Sequence, residues 1–328
     1  MIKEAGAAII RVATRTYVQR APWWRGKEFA AHLFHRYVAG RTYRRIVRTR
    51  FGDRMELHLP DLVSGAIYLE GQWEPDITQY IRANLAPGDI FVDVGANIGY
   101  YTLIASRLVG ARGKVYAIEA SPKIYARLMR NIEINNRTNI TTLNAAASDK
   151  KGELPIFFGG KWNWGHTTTV KSLGEKEGLQ FETMVGADRL DQLIGPELLA
   201  ARLIKIDVEG AEARVLAPLV ESLMKFNHRT EWLVEFNPSY SNGGQSDIDM
   251  TYWAFRRANY NCYKISDNYA TEMTVTKTKQ FELRLLNEPP SARCDVLMTR
   301  MAVSNIAAST GPVGADERDP NQNDDSNQ

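Results

Sequence analysis

The chain is poor in the residues that staple or ligate. Across 328 residues it has two cysteines. Cys262 and Cys294 stand apart, with no CxxC pair and no Cys/His cluster. That argues against a zinc finger, an iron–sulfur site or a secreted disulfide framework. No apolar run approaches the roughly 18 to 20 residues that span a bilayer. The stretch Ala5–Ile10 is short for a signal-peptide core and Arg11 interrupts it, so a cytoplasmic protein is expected. There is no internal repeat, and a formal net charge of +3 gives no strong overall bias. What remains is an ordinary globular composition, 44% hydrophobic and 24% charged, which excludes collagen-like and wholly disordered classes.

The small net charge hides an asymmetry. Residues 1–50 hold 12 Lys/Arg against Glu4 and Glu28, a net +10, while the remaining 29 bases and 36 acids give −7. Within the basic segment Phe29, Leu33, Phe34, Tyr37 and Val38 recur at helical spacing. A hairpin pattern follows, with Met55, Leu57 and Leu59 alternating against Glu56 and His58. From residue 89 short apolar strands alternate with helices. The strands are Ile90–Val94, Lys114–Glu119, Ile140–Asn144, Leu203–Val208 and Trp232–Phe236, with closing strands at Tyr263–Ile265, Phe281–Leu286 and Val296–Met298. Residues 150–200 read as less regular, with a strand at Leu154–Phe158 followed by a polar loop over 159–166. The polar stretch from Ala302 onward predicts a disordered tail. The expected organisation is a basic helix-and-hairpin extension (1–60), an open, mostly parallel α/β domain (61–301) and a tail (302–328). Such sheets bind ligands beyond the carboxyl ends of their strands.

Five places there can carry chemistry. Asp93-Val-Gly-Ala-Asn-Ile-Gly99 brackets a tight strand-to-helix turn with Gly95 and Gly99, leaving Ala96 and Asn97 between them. Asn97 occupies the place of the middle glycine that a pyrophosphate needs, and Asp93 would repel one. The turn suits a ligand with an ammonium and no phosphate, such as the methionine end of S-adenosylmethionine. Glu119, 20 residues after Gly99, can accept two ribose hydroxyls. Asn144-Ala-Ala-Ala-Ser-Asp149 offers room for a flat ring, with Asp149 as an acceptor for an exocyclic amine. Lys205-Ile-Asp207-Val-Glu209-Gly-Ala-Glu212 sets charges in an apolar strand, which is costly unless they are paired or functional. A buried Lys205–Asp207 ion pair with Glu209 capping a helix is the plain structural alternative. Glu235 adds a further acid, and His166 sits in a loop where Trp162 and Trp164 could stack on a sugar or pack a flap.

These motifs, with the lead-in Tyr68-Leu-Glu-Gly71 and Trp73-Glu-Pro75, resemble the FkbM-type family of S-adenosylmethionine-dependent methyltransferases. The resemblance runs from about residue 65 to 240, and more loosely to 300. It implies a class I methyltransferase Rossmann-like fold: a seven-stranded sheet, helices on both faces and a terminal antiparallel hairpin. It also implies O-methylation, often of sugar hydroxyls or polyketide-like products.

The chemistry then asks for a group to take the acceptor's proton. Asp207, Glu209 and Glu235 are the candidates, with His166 in reserve, and Asp207→Ala is expected to abolish turnover while cofactor binding survives. A divalent ion held by carboxylates is the alternative way to acidify the hydroxyl. The competing readings are an NAD(P)-dependent oxidoreductase and a membrane or nucleic-acid binding module built on the basic N-terminus. That segment could touch an anionic membrane peripherally or remain a solvated helix; no nucleic-acid partner is expected.

Overall fold

A computed structural model describes residues 2–21, 26–38, 43–59, 61–159, 165–241, 243–265 and 282–302. The strands, in chain order, begin with β1 (Tyr43–Arg48) and β2 (Arg54–Leu59), an antiparallel pair with Val47 opposite Met55. Then come β3 (Ile90–Val94), β4 (Lys114–Ile118), β5 (Ile140–Leu143), β6 (Ala146–Ser148), β7 (Gly152–Phe158), β8 (Thr167–Thr168) and β9 (Gln180–Arg189). The chain ends with β10 (Leu203–Ile206), β11 (Glu231–Phe236), β12 (Asn261–Lys264), β13 (Arg284–Leu285) and β14 (Cys294–Thr299).

The main sheet has the order β13-β12-β14-β11-β10-β3-β4-β5. Its β11-β10-β3-β4-β5 core is parallel, and β14 runs antiparallel between β11 and β12. This is the Rossmann-like methyltransferase order with one addition. The expected seven strands are eight, because the two-residue β13 pairs with β12 at the edge. The strand order reverses between β3 and β10, and that switch point is where open α/β sheets bind ligands.

Alternation along each buried strand feeds two cores. Phe91 packs with Leu103, Leu128, Leu203 and Ile77 on one face. Its neighbours Val92 and Val94 pack with Ile204, Val234, Leu219 and Phe255 on the other. Side chains on both faces bury apolar surface, so these strands read as continuous hydrophobic runs. Ser121 caps the helix Pro122–Ile134 by accepting from the Ile124 amide at 3.3 Å. The helix read after Gly210 is split into an α-helix (Glu212–Leu216) and a 3₁₀ stretch (Ala217–Lys225). Pro218 cannot donate to the preceding turn and interrupts the α-helical ladder.

Residues 150–200 are more regular than the pattern suggested. They form most of a separate sheet, ordered β6-β9-β7-β8. Phe181 and Met184 on β9 are exposed, so no clean alternation marks the strand. The N-terminal extension shares a core with the body: Val18, Phe34, Val47 and Met55 belong to the same cluster as Leu103 and Leu203. The expected tail, apart from Ala302, and the Trp162–Trp164 stretch lie outside the described residues. No described helix is long and apolar enough to cross a membrane.

Candidate active site

The carboxyl ends of β3, β4, β10 and β11 open on a cavity of about 640 Å³, a size that takes a small-molecule ligand. Two clusters of sequence-selected residues meet in its wall. Gly95, Asn97 and Glu119 line one part; Asp207, Glu209, Glu235 and His166 line another.

The glycine turn is shaped by protein contacts. Gly95 has φ +82°, and a Cβ there would collide with the backbone carbonyl of Asp207. Gly99 has φ +88°, and a Cβ would lie 2.6 Å from Leu128 Cδ1. Gly95 therefore lets β3 and β10 loops touch, and Gly99 lets two helices touch. Ala96 is buried behind the turn, its amide donating to the Ile118 carbonyl at 3.0 Å. Gly99 and Ala96 do not line the cavity, unlike Gly95 and Asn97.

Glu119 is held by its neighbours. The Asn97 amide donates to Oε2 and the Ser121 amide to Oε1, both at 2.9 Å. Burial pushes its pKa up to about 7, against those two backbone donors. Each carboxylate oxygen retains a lone pair for a ligand. Asp93, expected to meet an ammonium directly, lies below the cavity wall instead. Its Oδ2 accepts from Thr102 Oγ1 at 2.6 Å, and Lys205 stands beside it in register on β10. Burial raises its pKa, against the Lys205 charge. Ala145, Ala146 and Ala147 line the cavity, but Asp149 does not. Asp149 is exposed and accepts from Ser148 Oγ at 3.0 Å.

The second cluster is held by charge. Lys205 Nζ pairs with Asp207 Oδ2 at 2.8 Å and lies 5.0 Å from the Tyr101 ring centre. Burial would raise the Asp207 pKa, but the Lys205 ammonium overcomes it and holds the group low. Glu209 sits at φ +50° and its carbonyl accepts from Thr168 Oγ1 at 2.8 Å. Burial, then the Asp207 carboxylate, push the Glu209 side chain up to about 8, partly offset by Arg293. Glu235 pairs with Arg293, yet burial and the Asp207 and Glu209 carboxylates hold its pKa well above the usual range. Glu209 does not cap the helix Glu212–Leu216, whose N-cap is Ala211 with no side-chain hydrogen bond; Glu212 Oε1 instead ties the preceding turn, accepting from the Val208 and Gly210 amides, both at 3.1 Å. His166 stacks on Tyr240 with ring centres 5.6 Å apart; its Nε2 has no hydrogen-bond partner among the described residues, and burial lowers its pKa.

Three lining residues escaped the sequence reading of the site. Glu74 caps the helix Pro75–Asn84 at φ +38°, accepts from Tyr101 Oη at 2.6 Å, and is raised to about 7 by burial and then by Asp295. Its Trp-Glu-Pro context marks only a helix start. Arg293 and Tyr240 carry no local signal. Among the described residues no group of three or more His, Cys, Asp or Glu is arranged to hold a metal ion.

The family model described as the methyltransferase FkbM domain matches residues 93–262, from the Asp93 turn through β12. The chain belongs to the FkbM methyltransferase family. Among its methyltransferase relatives, methyltransferase 1 of Beauveria bassiana is 29% identical over 149 residues, covering 40% of this chain and 59% of that protein. The hexuronic acid methyltransferase AglP of Haloferax volcanii is 27% identical over 160 residues, covering 47% of this chain and 59% of that protein. The chain thus spans about six tenths of these relatives' length. A solved SAM-dependent O-methyltransferase from Thermotoga maritima overlays with a TM-score of 0.40 at 14% identity, covering 79% of this chain and 78% of that one. That overlay adds nothing to the strand order already described.

Proposed function

We propose that this FkbM-family protein binds S-adenosylmethionine and methylates a hydroxyl oxygen on a sugar or related natural product. The observation that carries the reading is Glu119, a carboxylate fixed by two backbone amides in the wall of the cavity that also holds Asp207 and Glu209. The residues fit the cofactor: Glu119 would take the ribose hydroxyls, and the Ala145–Ala147 wall would leave room for the adenine. When bound, the cofactor supplies a methyl group already activated by its sulfonium. The acceptor class is supported by the hexuronic acid methyltransferase among the relatives.

The protein's part is to orient the acceptor and take its proton. In-line placement is worth roughly 7 to 11 kcal/mol of barrier. Asp207, neutralised by Lys205, is a weak base and serves to orient. Glu209 becomes the better base: its pKa near 8 matches the proton it must accept near neutral pH. Glu235 holds Arg293 beside them, and His166, in the same part of the wall, remains in reserve. Among the described residues no group of three or more His, Cys, Asp or Glu is arranged to hold a metal ion, and the proton step is assigned here to a carboxylate.

Calorimetric titration with S-adenosylhomocysteine and with NAD tests the reading. Binding of the first and not the second is expected. Glu119→Ala should weaken it roughly 30- to 100-fold, the value of hydrogen bonds to a charged group. No affinity for the homocysteine nucleoside, or unchanged affinity in Glu119→Ala, would overturn the assignment.

A further inference from the structure

The N-terminal unit buries Val18, Ala30, Ala31, Phe34 and Val47 in the common core, yet it also carries large apolar side chains outward beside a buried arginine. On the helix Ile2–Arg20 the inward positions include Arg11, Thr14 and Val18, while Ile9 is 68% and Val12 61% exposed. Arg11 is 6% exposed and its guanidinium lies 4.1 Å from the Tyr43 ring centre. Arg15 lies 5.1 Å from the ring centre of Tyr68. On the helix Lys27–Val38, Ala30, Ala31 and Phe34 face inward, and Phe29 is 71% exposed. Strand β1 has Ile46 exposed between Arg45 and buried Val47, with Arg44, Arg45 and Arg48 exposed as well. Arg20, Arg36 and Arg50 add to the exposed positive charge.

A solvated basic helix would have no reason to expose Ile9 and Val12 while burying Arg11 against an aromatic ring. Exposed apolar groups among basic ones match an interface where hydrocarbon and anionic headgroups meet. The complementarity is regional: the segment is +10 and the rest of the chain −7. We propose that the two N-terminal helices and β1 dock the protein on an anionic lipid bilayer. Ile9, Val12 and Phe29 enter the headgroup layer, and the arginines meet lipid phosphates. The unit also contacts the cavity wall. Gln19 Nε2 donates to the Tyr68 carbonyl at 3.3 Å, and Phe34 stacks on Tyr68 at 5.3 Å. The helix carrying Tyr68, Leu62–Glu70, presents Leu62, Val63 and Ala66 to the cavity. A docked bilayer would therefore be one helix away from the reaction chamber, a placement suited to a lipid-carried acceptor.

Cosedimentation of the full chain tests this with vesicles of pure phosphatidylcholine and of equal parts phosphatidylcholine and phosphatidylglycerol. Salt-sensitive pelleting with the anionic vesicles alone is expected. Arg44→Ala with Arg45→Ala, both at exposed strand positions, should weaken it about 30-fold, from roughly fivefold per basic residue at a lipid surface. Ile9→Ser with Phe29→Ser should weaken it in both low and high salt. Failure to pellet with anionic vesicles would overturn the proposal, as would equal binding to neutral ones. Unchanged binding in the arginine pair or in the Ile9/Phe29 pair would do the same, as would binding to RNA in place of vesicles.

Discussion

The two halves of the cavity wall hold their carboxylates in different ways. At the β3–β4 end Glu119 is fixed by amides of Asn97 and Ser121, residues belonging to the same two turns. At the β10–β11 end Asp207, Glu209 and Glu235 are balanced by Lys205 and by Arg293, which arrives from just before β14. Amide-held groups keep one geometry. Charge-held groups share protons and respond to pH. The first arrangement suits binding a constant ligand, and the second suits moving a proton.

The largest expected effect separates the halves directly. Glu209→Gln should lower turnover by about 10²- to 10⁴-fold, the usual worth of a general base, with S-adenosylhomocysteine affinity within about twofold. Glu119→Ala should do the reverse, losing affinity first. Steady-state kinetics beside calorimetry on both variants checks this. If Glu209→Gln turns over normally while Asp207→Asn does not, the base role returns to Asp207.

Gly95 joins the halves, since it permits the close approach of the Asp207 carbonyl. Gly95→Ala adds a clash to a left-handed φ and should cost roughly 3 kcal/mol or more of stability. Denaturant unfolding would show it, and Gly88→Ala, also at positive φ but with open space around it, should cost less.

A smaller effect concerns the acceptor half. A base with pKa near 8 works only when deprotonated, so kcat/KM should rise up to tenfold per pH unit below about 8 and level off above. Arg293→Ala removes a charge that lowers the Glu209 pKa and should move this limb upward. A profile unchanged by that variant would separate Glu209 from the limb.

The last effect is the pH dependence of stability. Glu74, Glu119 and Glu212 have folded pKa values near 7 and Glu209 near 8, all above the unfolded 4.5. The folded state then binds more protons, so these groups favour folding at low pH and lose that contribution as pH rises from about 4.5 to about 8. His58 and His166, lowered by burial, act oppositely near pH 6.5 and below. Thermal melts should show a falling Tm between about pH 6.5 and about pH 8. Glu212→Gln should flatten part of the slope.

Legibility followed the same division. The β3–β4 wall could be read because its partners are close in sequence: two glycines, Asn97 and Glu119 lie within 25 residues of one another. The alternation of apolar strands with helices likewise exposed the parallel sheet. Glu74 and Arg293 could not be read, since they reach the site from an N-terminal helix cap and from the approach to an antiparallel strand. Asp93 and Asp149 lie outside the cavity lining for a related reason. A strand-end acid can face ligand, lysine or water, and the choice depends on which neighbour the next strand brings.

Strand pattern, turn glycines and the acid at the second strand's end followed from local periodicity and backbone sterics, which a linear chain carries in full. The buried Lys205–Asp207 pair, two residues apart on one strand, was also open to reading, whereas the sharing of charge among Glu74, Glu209, Glu235 and Arg293 and the burial of Arg11 beneath Tyr43 arose from packing. Desolvation and Coulomb energies depend on which distant groups become neighbours, and adjacency along the chain does not encode them.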